Sequence, residues 1–96
     1  MKKPKLIPFG YFTMLNGKRL DVMILTADSE GKGYLKFEVP DKIYGFKSCK
    51  ITYPNLVIEE VFGFDDDDLA WIVQLCKNNL RTIKEIGETG VIYDYA

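Results

Sequence analysis

Ninety-six residues, 47% of them apolar and 28% charged, describe a folded chain with material for one hydrophobic core and not for two. No apolar stretch approaches the roughly 18 to 20 residues of a membrane span, and the opening MKKPKLIPFG is interrupted by Pro4 and Pro8 before any signal-peptide-like segment can form. The expectation is a single cytoplasmic domain over residues 1–96. The net charge of -1 conceals ten basic and five acidic side chains in residues 1–53, against three and nine in residues 54–96.

In chain order, PFGYFTMLNGKRLDVMILT is a hairpin in which Asn16-Gly17 separates two apolar runs. Asn-Gly favours a two-residue type I′ turn, because both positions tolerate positive φ. That turn sets Leu15 opposite Lys18, and places Phe9, Tyr11, Thr13, Leu20, Val22 and Ile24 on one face, with Phe12, Met14, Arg19, Asp21 and Met23 on the other. After the polar loop ADSEGKG, YLKFEV alternates Leu35, Phe37 and Val39 inward with Tyr34, Lys36 and Glu38 outward. A fourth strand, SCKITY, alternates Cys49, Ile51 and Tyr53 with Ser48, Lys50 and Thr52. LVIEEVFGF is a fifth, disturbed by the adjacent Glu59 and Glu60, and an edge position or a bulge relieves that conflict.

Four consecutive aspartates then precede a helical pattern reaching about residue 86, with Leu69, Ile72, Val73, Cys76, Leu80 and Ile83 on one stripe. Aspartate is a favoured N-cap, and acids in the first turn complement the positive helix end, each worth about 0.3 to 1 kcal/mol. This accounts for one or two of the four. Gly87 occupies the place of a C-cap glycine. A helical wheel puts Trp71 and Leu75 off the core stripe, covered either by a terminal segment or exposed beside the acids as a binding anchor. The tail ETGVIYDYA has enough apolar surface for a short strand or a layer across the helix.

Several chemistries are excluded by residue type. There is no histidine, which removes the side chain that titrates near neutral pH and the commonest metal ligand, together with any Ser-His-Asp or Cys-His arrangement. Phosphate-cradling glycine motifs are absent, and Cys49 and Cys76 read as reduced core thiols rather than a zinc site or a disulfide framework. The aspartate run lacks the glycine and the distal glutamate of a calcium loop. A magnesium site made only of carboxylates, from the aspartates with Glu59 or Glu60, is the one metal reading that residue types leave open. The expectation is no catalytic residue, no cofactor and no metal.

Two binding readings follow. A sheet carrying Tyr11, Phe12, Tyr34 and Tyr44 among lysines has the composition of a single-strand nucleic-acid binder, but the mixed charge and the absence of an RNP-like pattern argue for an ordinary solvated face. The alternative is a protein-binding module whose acidic corner, Glu59, Glu60, Asp65, Asp66, Asp67 and Asp68, with Trp71 and the tail residues Tyr93, Asp94 and Tyr95, meets a basic surface. In layout the chain resembles the small cytosolic immunity proteins that protect bacteria against their own contact-dependent or polymorphic toxins. The residue pattern gives an α+β fold, an antiparallel four- to five-stranded sheet with one long C-terminal helix packed on one face, and the resemblance implies an antiparallel sheet with one or two helices. It also implies a stoichiometric inhibitor, monomeric or weakly dimeric, whose protein partner is a basic toxin domain such as a nuclease. Small phage-encoded inhibitors of host defence share the same description.

Overall fold

A computed structural model describes residues 4–40 and 45–90. Within them the chain forms β1 (Leu6–Thr13), β2 (Arg19–Leu25), β3 (Gly33–Val39), β4 (Lys47–Tyr53), β5 (Ile58–Phe62), α1 (Asp66–Asn78) and α2 (Leu80–Thr89). The strands make one antiparallel sheet in the order β1-β2-β3-β4-β5, so the architecture is α+β.

β3 and β4 follow their alternation. Leu35, Phe37, Val39, Cys49, Ile51 and Tyr53 are all buried on one sheet face, joined there by Leu20, Val22 and Ile24 of β2 and by Ile72, Cys76, Ile83 and Ile86 of the helices. Tyr53 reaches furthest. Its hydroxyl donates to the Leu25 carbonyl at 2.6 Å, and its ring occupies the space where side chains at Gly33 and Gly87 would stand. The Ala27 N–H donates to the Gly87 carbonyl at 2.8 Å, which ties α2 to the end of β2.

The first hairpin departs from expectation by one residue. The Gly17 N–H donates to the Met14 carbonyl, and the Met14 N–H donates to the Lys18 carbonyl, both at 2.9 Å. The loop therefore holds three residues, with Gly17 alone at positive φ (84°), the arrangement of a turn followed by a glycine bulge. Thr13 pairs with Arg19 and Phe12 with Leu20, and a one-residue slip exchanges the faces. Phe12 and Met14 turn inward, while Tyr11 is 61% exposed. A second irregularity between Pro8 and Gly10 restores the parity, so Ile7 and Phe9 also pack on the core.

The expected single long helix is two helices. At Asn79 the backbone leaves helical geometry (φ -115°, ψ 12°), and the Asn79 side chain donates to the Leu75 carbonyl at 2.8 Å, a local competition with helical hydrogen bonding that asparagine favours. The break directs Ile83, Ile86 and Gly87 onto the sheet. Gly87 therefore lies inside α2, and the left-handed C-cap is Gly90 (φ 68°).

Candidate functional site

The acidic run begins with a capping box. Asp65 is the N-cap of α1: its side chain accepts from the Asp68 N–H at 2.8 Å, while the Asp68 side chain accepts from the Asp65 N–H at 3.4 Å. Two carboxylates thus close the helix end, and Asp66 and Asp67 project into solvent. Among the described residues these four carboxylates have no cationic partner, and such a group at one helix start creates a negative potential that repels anions and attracts a basic surface.

Glu59 and Glu60 do not simply extend this cluster. Glu59 stands opposite Lys50 across the β4–β5 ladder, and the Glu60 carboxylate lies 4.0 Å from the Lys50 ammonium, so their charge is partly answered within the sheet. Glu60 has a φ of 52° at the bulge, where β5 gains one residue relative to β4. Both remedies foreseen for the paired glutamates, the edge and the bulge, are present together.

Trp71 is not an exposed anchor: it is half-buried and packs against the core cluster, as does Leu75. The apolar stripe of α1 is therefore wider than a helical wheel centred on Ile72 and Cys76 suggests. Tyr93, Asp94 and Tyr95, and the loop residue Tyr44, lie outside the described residues.

Missing from the sequence reading is the apolar surface of β5 and of Val57 just before it. Val57, Ile58, Val61 and Phe62 are all exposed, Phe62 by 63%, and none packs on the core. The signal was available in the loss of alternation at Glu59-Glu60, since a strand without period-two patterning cannot bury one complete face.

On the open sheet face the cations are engaged locally. Arg19 binds Asp21 at 2.6 Å and lies 4.4 Å from the centre of the Tyr11 ring. Lys36 binds Glu38 at 3.2 Å, and the Lys50 ammonium sits 4.1 Å above the Tyr34 ring. Cys49 and Cys76 are free and buried, and burial pushes both thiols up to about 12, which removes thiolate nucleophilicity near neutral pH. Burial also raises the Tyr53 hydroxyl to about 12. The exposed Asp28 carboxylate is held below its usual range by the Lys32 and Glu30 backbone N–H groups and closes the β2–β3 loop. Among the described residues no three carboxylate or thiol side chains converge as a metal site, and no helix is long and apolar enough to cross a membrane. Comparison with protein-family models, curated proteins and solved structures gives no match.

Proposed function

We propose that this is a non-enzymatic cytoplasmic binding protein of the immunity or inhibitor kind, which neutralises a basic toxin domain, such as a nuclease, by stoichiometric association through its acidic corner. The observation that carries the reading is the group Asp65, Asp66, Asp67 and Asp68 at the start of α1, with no cation answering any of them among the described residues. A nuclease cleft must attract phosphates and is therefore basic, and crowded carboxylates accelerate encounter with such a surface. The exposed apolar strand beside the acids supplies contact area that charge alone lacks. The second reading, nucleic-acid binding by the open sheet face, draws on Lys50 stacked over Tyr34, but the ion pairs of Arg19 and Lys36 with their own acidic neighbours reduce that face's attraction for phosphates.

The test is co-purification with the product of the adjacent gene and titration of the complex at low and high salt. Replacing all four aspartates with asparagine retains N-cap chemistry while removing the charge. The expected result is affinity at least about tenfold weaker and a much smaller salt dependence. An unchanged complex, or retention on heparin that disappears on Lys36→Ala/Lys47→Ala/Lys50→Ala, refutes the acidic-corner reading.

A further inference from the structure

The two edges of the sheet differ in how open they are. β1 carries Pro8, which has no N–H, followed by an irregularity before Gly10, both of which obstruct strand pairing. β5 also bulges, at Glu60, but it has no proline, its Ile58 end lies before the bulge, all five of its residues are exposed, and residues 57–62 supply four of the eight exposed large apolar side chains among the described residues. The Thr52 N–H donates to the Val57 carbonyl at 2.9 Å, so the alternation of an antiparallel ladder turns the Ile58 N–H and C=O away from β4, toward the open side. An edge with free backbone groups and flanking apolar side chains is a template for one more strand.

We propose that β5 docks an extended segment of a basic protein as a sixth strand, with an apolar side chain beside Ile58 on the face it shares with Ile51, and an apolar side chain and a lysine or arginine beside Phe62 and Glu59 on the face of Ser48 and Lys50. This rests on the reading that the partner is basic, and adds the mode by which it is held. Charge selects the occupant. A second copy related by a two-fold axis centred within β5 would set Glu59 and Glu60 against their own counterparts, and like charges across a strand pair are destabilising. A basic segment places opposite charge at the same positions and extends toward the aspartates at the start of α1.

The experiment uses the full chain as bait for a displayed library of random ten-residue peptides, with selected sequences resynthesised and measured by fluorescence anisotropy and backbone amide exchange. The expected winners combine apolar residues with lysine or arginine and slow exchange at the Ile58 amide. Their binding weakens at least about tenfold on Phe62→Asp and on N-methylation of alternate peptide amides, because strand addition needs both the pocketed side chains and the main-chain donors. Phe62 is exposed, so the substitution leaves the fold in place, which unchanged amide exchange in β3 and β4 verifies. Absence of binders overturns the proposal. Binders lost on the four-asparagine replacement while Ile58 exchange never changes overturn strand addition but leave the basic-partner reading standing. Neutral or acidic peptides that do protect Ile58 overturn the choice of occupant together with that reading. Dimerisation of the chain that protects Ile58 and is abolished by Phe62→Asp makes the occupant a second copy and likewise overturns it.

Discussion

β4 and β5 are hydrogen-bonded neighbours of similar apolar content, yet they meet opposite fates. In β4 every second residue is apolar, and Cys49, Ile51 and Tyr53 vanish into the core. In β5 two glutamates interrupt the period, the strand bulges, and all of its residues stay in contact with solvent. Ile51 and Ile58 face each other across the ladder, one fully buried and the other 37% exposed. Hydrophobic content alone thus does not decide burial. Consistent phase along the strand and a covering helix do, and β5 has neither. What is lost to the core becomes available as surface.

The sharpest way to break this comparison is to shorten both members of the pair. Ile51→Ala is expected to destabilise by about 3 kcal/mol, the cost of a buried isoleucine and its cavity, whereas Ile58→Ala should cost less than about 1 kcal/mol; urea denaturation of the two variants measures both. Similar costs would mean that β5 is covered in solution. The same contrast applies within the aspartate run. Asp65→Ala removes the N-cap and is expected to cost about 1 kcal/mol, while Asp67→Ala should stay within about 0.5 kcal/mol, since its dipole interaction is offset by relief from its neighbours' charge. Thermal melts at low ionic strength read the difference. The smallest effect has the opposite sign. Glu60→Gly relieves a left-handed backbone that costs a non-glycine residue roughly 1 to 2 kcal/mol, against the greater chain entropy of glycine, for a net stabilisation of about 0.5 kcal/mol by urea denaturation. Glu59→Gly, without that relief, should destabilise.

Legibility along the chain follows the range of the interactions that set each element. β3 and β4 could be read to within a residue because alternating burial is written directly in YLKFEV and SCKITY. The start of α1 was equally plain, since an aspartate cap acts through hydrogen bonds three residues away. The hairpin register was misread because Asn16-Gly17 serves two loops of different length, and the choice turned on burying Met14 and Phe12 rather than Tyr11. The wheel put Trp71 and Leu75 off the core stripe, yet both are half-buried against the core cluster, because a wheel ranks positions about one helix axis and carries no information on what packs beside it. Of the candidate site, the aspartates were legible as a charge run, whereas the exposure of Val61 and Phe62 was not, as it depends on where the helix layer stops.

Composition and order by themselves determined an α+β chain without imidazole chemistry, the two central strands, and a capped, acid-fronted helix, because each of these follows from bonds or periodicity within a few residues. Only the tertiary structure decided the hairpin slip, the break at Asn79 that sends Ile83 and Ile86 onto the sheet, the ring of Tyr53 seated against Gly33 and Gly87, and the uncovered edge at β5. Those outcomes depend on which surfaces compete for one small core. That competition is settled among residues distant in the chain, where the cost of an unfilled or overfilled space outweighs local preference.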